Sequence, residues 1–359
     1  MKEHDSHMDP GQAEVRGGAG SPELRTRRSR AALLARTARR LERSVRGPWG
    51  VSVLLLAGAA SVAGAGTWLQ DQKAADDVES ATALPGQLEL SAEDLVGAEL
   101  PMEYNERVGR WIERYLTDER VTFEKYLARE SLYGPLIRAE LRRREMPEAL
   151  IYLAMIESGF SPWADSRVAA SGVWQFMGPT ARAYGLRVDR YVDERRDPVR
   201  ATEAALDYLE ELNEEFGSWY LAAAAYNAGP GRVSQALSVL GDHSMADDAE
   251  LYWEIIGYLP RETQEYVPKI LAAAILGEEA DHFGFDVEPE APYLFDRVLV
   301  PGGTGLTRIA EAAGTETELV QNLNPHLVQG VTPPGEPTLV RVPQGASGDV
   351  VASLASGFN

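Results

Sequence analysis

Residues Glu148 to Gln175 read E-A-L-I-Y-L-A-M-I-E-S-G-F-S-P-W-A-D-S-R-V-A-A-S-G-V-W-Q, and the predicted architecture is built around this stretch. After Pro147 and Glu148, residues Ala149 to Ile156 form an uncharged apolar run, which predicts a buried helix with proline in its first turn. Glu157 falls in the last turn of that helix, and Gly159 is suited to end it as a C-cap. The stretch therefore predicts a carboxyl group held at the end of an apolar helix.

Two effects at such a position raise the pKa of a carboxyl group. Burial disfavours the charged form, and the C-terminal end of a helix is itself partly negative. A carboxyl that stays protonated near neutral pH is what a general acid requires. The alternative is that Glu157 simply points into solvent at a helix end. For an isolated glutamate this would be the more common situation, so the neighbouring motifs decide between the two.

Three further short motifs combine an aromatic residue with an amide, a glycine or a proline. They are Gly172-Val173-Trp174-Gln175-Phe176-Met177, Ala225-Tyr226-Asn227-Ala228-Gly229 and Glu265-Tyr266-Val267-Pro268-Lys269. Together with Glu157-Ser158-Gly159, and in this order, they resemble the lytic transglycosylase family, whose catalytic domain is similar to goose-type lysozyme. The resemblance covers residues 104–285.

The resemblance implies a mechanism with a single carboxyl group. Glu157 would protonate the leaving oxygen of a β-1,4 bond between N-acetylmuramic acid and N-acetylglucosamine, and would then accept the proton of the C6 hydroxyl. This hydroxyl attacks the anomeric carbon and leaves a 1,6-anhydro end. The expected catalytic residue is Glu157, and the expected substrate-binding residues are Ser158, Trp174, Gln175, Phe176, Met177, Tyr226, Asn227 and Tyr266. For Trp174 and Phe176, packing in the core is an equally open alternative.

Two other functions remain open for the same motifs. One is hydrolysis by a lysozyme-type muramidase or a chitin-active enzyme, and the other is a non-catalytic cell-wall binding or scaffold protein. Hydrolysis usually employs a second carboxyl group. The candidates, Asp165, Asp189, Asp193 and Asp197, lie outside the motifs and are typical of turns or helix caps.

The N-terminal part of the chain has a strongly uneven charge. The 359 residues carry a formal net charge of −20, yet residues 1–46 are rich in arginine, and residues 47–70 contain no charged side chain. At about 1.5 Å per residue, the uncharged segment is long enough to cross a hydrocarbon core of roughly 30 Å. Arginines before it and acids after it predict a transmembrane signal anchor with the remainder in the cell envelope, on the periplasmic or outer side. A signal peptide cleaved after Ala65 and a nucleic-acid patch in residues 1–46 are the alternatives.

The fold class predicted for the remainder is mainly α. Residues 71–102 are a linker by composition and residues 103–288 the helical lysozyme-like catalytic domain. Residues 293–345 predict strand–helix–helix–strand and resemble a LysM peptidoglycan-binding module. Residues 346–359 are predicted to be a tail, which is frayed from Val350 to Asn359. Pro301 to Gly305 departs from the usual turn of LysM modules, so glycan binding and a purely packing role both stay open. The predicted helices span Tyr104 to Glu145, Pro147 to Ser158, Pro179 to Tyr184 (with Thr180 as a possible cap), Pro198 to Phe216, Trp219 to Asn227, Gly231 to Leu240 and Arg261 to Gly277.

The composition also argues against several kinds of partner. The acidic exported part does not favour nucleic acid, which requires positive potential. The chain has no cysteine and five scattered histidines, which predicts no metal site, and no phosphate-binding or dinucleotide motif suggests a cofactor. The expected partners are therefore peptidoglycan glycan strands and, through the N-terminal helix, a membrane.

Overall fold

The computed structural model describes residues 100–240 and 248–356, which all belong to one compact unit. The part before the first strand is helical. Its helices are α1 (Glu106–Leu116), α2 (Arg120–Arg143), α3 (Ile151–Ser158), α4 (Gly178–Ala183), α5 (Pro198–Phe216), α6 (Trp219–Ala228), α7 (Pro230–Leu237), α8 (Asp248–Ile255) and α9 (Arg261–Glu278). The prediction of a mainly α fold is confirmed, and α5 begins and ends at the predicted residues.

The predicted helix of Glu157 is formed in two parts. A 3-10 turn, Glu148–Leu150, leads into α3, and Gly159 ends α3 in the left-handed conformation at φ +57°. A side chain at Gly159 would be strained at this φ, and its Cβ would lie 2.1 Å from the ring of Tyr126. The helix therefore ends in a turn that only glycine fits, and the position of Glu157 in the last turn is set locally.

Helix α3 lies in the core of the helical part. Residues Ile151 to Met155 are almost completely buried, and α3 packs against α2 and α9. The alanine-rich helix α6 packs against α5 and α9 in the same core. Because alanine side chains are small, these helices approach closely, and the polar residues at the ends of α3 and α6 meet α9.

The C-terminal part has the predicted strand–helix–helix–strand order. It consists of β1 (Phe295–Val300), α10 (Leu306–Ala312), α11 (Thr317–Leu323) and β2 (Thr338–Pro343), followed by α12 (Ser347–Ala355). The strands pair antiparallel with Phe295 opposite Pro343 and Val300 opposite Thr338. Their buried valines form a second hydrophobic core with α10 and α11.

Two local predictions are corrected. Residues 346–359 do not form a frayed tail over their described length, because α12 packs on β1 with Val350 fully buried. Burial of the Val350 side chain in the second core stabilises this helix. Thr180 does not cap α4, because the helix already begins at Gly178 and Thr180 therefore lies within it.

The predicted anchor, residues 47–70, and the basic segment 1–46 lie outside the described residues. Within the described ranges, none of the helices combines the length and the apolar character that crossing a bilayer demands.

Candidate active site

Glu157 is half-buried at the end of α3, and its carboxyl group is contacted from α9. The hydroxyl of Tyr266 donates a hydrogen bond to Oε1 of Glu157 at 2.5 Å. Tyr266 is itself buried, with a 6% exposed fraction. These two predicted site residues are 109 positions apart in the chain, and the packing of α9 on α3 brings them together.

The surroundings raise the pKa of Glu157 to about 7. Burial is the largest cause, and the negative charge of Glu262 adds to it. The hydrogen bond from Tyr266 and the charge of Lys269 act in the opposite direction, because both stabilise the carboxylate. Burial outweighs them, so Glu157 is protonated in a large fraction of molecules at neutral pH, as the sequence predicted from its apolar helix.

Tyr226, on α6, lies near enough to Glu157 to feel the charge of its carboxylate. Its hydroxyl donates to the backbone oxygen of Trp174 at 2.8 Å, and its ring packs against Tyr208 with centroids 5.3 Å apart. Burial and the nearby charge of Glu157 raise the pKa of Tyr226 well above its ordinary value. Tyr226 therefore remains a neutral hydroxyl at every pH at which Glu157 titrates.

Asn227 ties the end of α6 to the first turn of α9. Its Oδ1 accepts a hydrogen bond from the hydroxyl of Thr263 at 2.7 Å, and its Nδ2 donates to Glu262 at 3.3 Å. The sequence motifs did not predict Thr263 or Glu262 as partners of Asn227. The signal was available, since Glu262 precedes Tyr266 by four residues and a helix places such residues on one face.

Residues 171–177, which we call the motif loop, are attached to α3 by Ser158. The Ser158 hydroxyl donates to the backbone oxygen of Val173 at 2.7 Å. The side-chain amide of Gln175 donates to the backbone oxygens of Ala164 (3.1 Å) and Gly172 (2.9 Å). In this structure, Ser158 and the amide nitrogen of Gln175 hold the loop in shape, and their contact with a substrate stays a prediction.

The aromatic residues of the motif loop occupy different environments. Trp174 is completely buried, and its indole nitrogen donates to the hydroxyl of Thr202 on α5 at 2.9 Å. Phe176 is also buried, with its ring edge towards Tyr226. Of the two alternatives left open for these rings, their burial favours packing in the core, and a contact with sugar stays a prediction. Met177 is exposed over 41% of its surface and remains available for an apolar contact.

The described residues contain no group of three or more His, Cys, Asp or Glu side chains that could hold a metal ion. The chemistry that the site can perform with its own groups is proton transfer by Glu157, with the hydroxyl of Tyr266 as a neutral donor to its carboxyl group.

Two family descriptions match this chain. "Transglycosylase SLT domain" matches residues 134–246, and "Lytic transglycosylase MltD, LysM-like domain" matches residues 294–357. The first range contains Glu157, the motif loop and Asn227. The second contains both strands and α12, so the helix that replaces the predicted tail belongs to the matched module.

Individual relatives point the same way. The membrane-bound lytic murein transglycosylase D of Escherichia coli K12 is 32% identical over 266 residues, which are 73% of this chain and 58% of that protein. The soluble lytic murein transglycosylase of the same organism is 31% identical over 146 residues, 39% of this chain and 22% of that protein. The chain thus spans less than two thirds of either relative.

Among solved structures, the 70 kDa soluble lytic transglycosylase of Escherichia coli is similar at 28% identity with a TM-score of 0.34, covering 42% of this chain and 24% of that one. Combined with the two domain matches, the sequence similarity confirms the resemblance that the motifs predicted. The chain therefore contains an SLT domain followed by the LysM-like domain of MltD, and it is similar to the lytic murein transglycosylases.

Proposed function

We propose that this protein is a lytic transglycosylase that cleaves the β-1,4 bond between N-acetylmuramic acid and N-acetylglucosamine in peptidoglycan and leaves 1,6-anhydromuramic ends. The observation that carries the proposal is the state of Glu157. It is a half-buried carboxyl with a pKa raised to about 7, and the hydroxyl of Tyr266 holds one of its oxygens at 2.5 Å. A group with a pKa near the working pH can both donate and accept a proton in one cycle.

In the first step, Glu157 gives its proton to the glycosidic oxygen while the bond between that oxygen and the anomeric carbon breaks. The hydrogen bond from Tyr266 occupies Oε1, so we expect Oε2 to carry the proton. The negative charge that appears on Glu157 is stabilised by Tyr266 and by Lys269, the groups that favour the ionised form. The positive charge that develops on the sugar lies next to this new carboxylate.

In the second step, Glu157 accepts the proton of the C6 hydroxyl while the oxygen of that hydroxyl bonds to the anomeric carbon. The proton removed equals the proton donated, so the enzyme returns to its starting state without consuming water. We expect Tyr226 and Asn227 to hold the 2-acetamido group during this exchange, because hydroxyl and amide groups stay neutral at the working pH; Asn227 would exchange its present partners Thr263 and Glu262 for the substrate.

Digestion of purified sacculi, followed by mass spectrometry of the released muropeptides, tests this function. We expect products one water lighter than hydrolysis products, and a rate that is about 10²–10⁴-fold lower with Glu157→Gln. Glu113→Gln, which makes the same change in charge on the exposed side of α1, is the matched control and should retain full activity. Reducing ends in place of anhydro ends would establish hydrolysis, and equal activity of the Glu157→Gln variant would establish a non-catalytic role.

The location of the protein is part of the proposal. The arginine-rich segment 1–46 followed by the uncharged segment 47–70 supports a membrane anchor, with residues 103–288 as the catalytic domain on the periplasmic or outer side. The name of the first relative describes that protein as membrane-bound. The full chain should stay in the membrane fraction after an alkaline carbonate wash, whereas a chain beginning at residue 71 should be released.

A further inference from the structure

The LysM-like module, residues 294–357, shares its core with a segment of the SLT domain. This connecting segment, residues 186–197, lies between α4 and α5. Val192 from its middle is buried in the hydrophobic core of the module and forms an antiparallel bridge with Leu327. The next residue, Asp193, donates its backbone N–H to the backbone oxygen of His326 at 2.9 Å. The module therefore encloses part of the SLT domain.

A buried ion pair joins the same two parts. Arg341 on β2 donates to both carboxylate oxygens of Asp197, each at 2.8 Å, and both residues are at most 6% exposed. Asp197 also accepts the backbone N–H groups of Val199 and Arg200, and so caps α5. Although burial alone would raise it, the charge of Arg341 holds the pKa of Asp197 at about 2. The first turn of α5 is thus fixed by a side chain of the module.

The connecting segment is in turn packed against the motif loop. The guanidinium of Arg195 donates to the backbone oxygens of Ala169 (2.8 Å) and Phe176 (3.1 Å), while Asp193 holds it from the other side. At Gly172 the two backbones touch, since a Cβ there would lie 1.8 Å from the backbone oxygen of Arg195. A shift of the segment would therefore displace the loop.

The last step leads from the motif loop to the acid. The hydroxyl of Ser158, the neighbour of Glu157, donates to the backbone oxygen of Val173 at 2.7 Å. The hydroxyl of Tyr226 donates to the backbone oxygen of Trp174 at 2.8 Å. Both α3, through Ser158, and α6, through Tyr226, are therefore anchored to the motif loop, and the links from the module to the site are hydrogen bonds and close packing contacts.

We infer that the LysM-like module is a fixed brace of the active site, and that the buried Asp197–Arg341 pair is the contact through which it positions the motif loop. The inference rests on the proposed function for its kinetic consequences. Replacing a buried ion pair by apolar residues is often neutral for stability, whereas removing one partner leaves a buried charge uncompensated. Since a displacement of about 1 Å can lower a rate roughly 10²-fold, loosening this contact should reduce turnover from a distance.

The test uses the full chain with Arg341→Met, which removes the charge but keeps an apolar side chain of similar length, and Arg341→Lys, which keeps the charge. Glu336→Gln is the matched control, because Glu336 pairs with Arg187 across the same interface but on its exposed side. We expect kcat for anhydro products to fall about 10- to 100-fold in Arg341→Met with little change in KM. Arg341→Lys should lie in between, and Glu336→Gln should match wild type.

Two readouts separate positioning from a general loss of stability. Relaxation of the loop lets water reach Glu157, so the pKa in the kcat profile should fall from about 7 towards the ordinary value. The charged and titratable groups facing Glu157, which are Tyr266, Glu262 and Lys269 on α9 and Tyr226 on α6, are unchanged in the variant. Amide hydrogen exchange in the motif loop should also become faster, and this is measured without substrate. A variant that is only less stable would keep the pKa of Glu157 near 7 and the wild-type loop exchange under conditions where it stays folded.

A folded Arg341→Met variant with the kcat, pH profile and loop exchange of wild type would overturn the inference. If Arg341→Met fails to fold, the test uses Arg341→Lys and Val192→Ala instead. Wild-type kcat, pH profile and loop exchange in both of these variants would also overturn the inference. If wild type itself releases no anhydro products, the proposed function fails, while the exchange measurement still tests the brace.

Discussion

Replacing Glu157 by glutamine should stabilise the folded protein at alkaline pH and leave its stability almost unchanged in acid. In wild type, burial raises the pKa of Glu157 from 4.5 to about 7. Below pH 4.5 the carboxyl is protonated in both the folded and the unfolded chain. Between pH 4.5 and 7 the folded chain binds more protons than the unfolded chain, so the free energy of unfolding falls as the pH rises. Above pH 7 the carboxyl is ionised in both states, and the free energy of unfolding is lowered by the full amount.

The magnitude follows from the size of this shift. One unit corresponds to 1.36 kcal/mol, so a pKa raised from 4.5 to about 7 amounts to about 3 kcal/mol at most. Because the carboxyl is half-buried and water screens part of its charge, we expect about half of that value. Glutamine keeps the shape and a hydrogen-bond acceptor for Tyr266 but cannot ionise. The stabilisation by Glu157→Gln should therefore be about 1.5 kcal/mol larger at pH 8 than at pH 4.

Thermal unfolding at pH 4 and pH 8 measures this difference. For a protein of this size, each kcal/mol corresponds to about 2–4 °C in Tm. The control is Glu113→Gln, which removes the same charge from the exposed side of α1 in this acidic protein. Equal Tm differences for Glu157→Gln at both pH values would refute the argument, since they would mean that ionisation of Glu157 costs no folding energy.

Three further outcomes are expected. The Tyr266→Phe variant loses the hydrogen bond that favours the carboxylate, so the pKa of Glu157 should rise by about 1 unit and the basic limb of the kcat profile should move up with it; an unchanged or lower pKa would contradict this. The Gly172→Ala variant should lower the free energy of unfolding by about 3 kcal/mol or more, as measured by denaturant unfolding, because φ is +83° and the new Cβ would lie 1.8 Å from a backbone oxygen. The Gly229→Ala variant, at φ +88° with nothing within 4 Å, should lower it by only about 1 kcal/mol. Equal losses in the two variants would mean that close packing at Gly172 does not contribute. The Val350→Ala variant should lower the free energy of unfolding by about 1–2 kcal/mol, as measured by urea denaturation, and no change would mean that α12 does not contribute to the second core.

The sequence by itself determined the elements whose signals are local. Proline at the first turn and an aspartate cap marked the start of α5, and Gly159 marked the end of α3, because capping and backbone conformation depend on a few neighbouring residues. The order of the motifs then identified the family. The apolar run before Glu157 was sufficient to predict a raised pKa, since burial is its main cause.

Only the tertiary structure decided which distant residues meet. It placed Tyr266 on Glu157 across 109 positions and Arg341 on Asp197 across 144, and it turned Trp174 into the core. Spacing along a chain describes one helix or strand at a time, and says nothing about which face of another element will pack against it. The pairing of α3 with α9, and of the connecting segment with the module, results from the burial of both apolar cores at once, and this is a property of the whole fold.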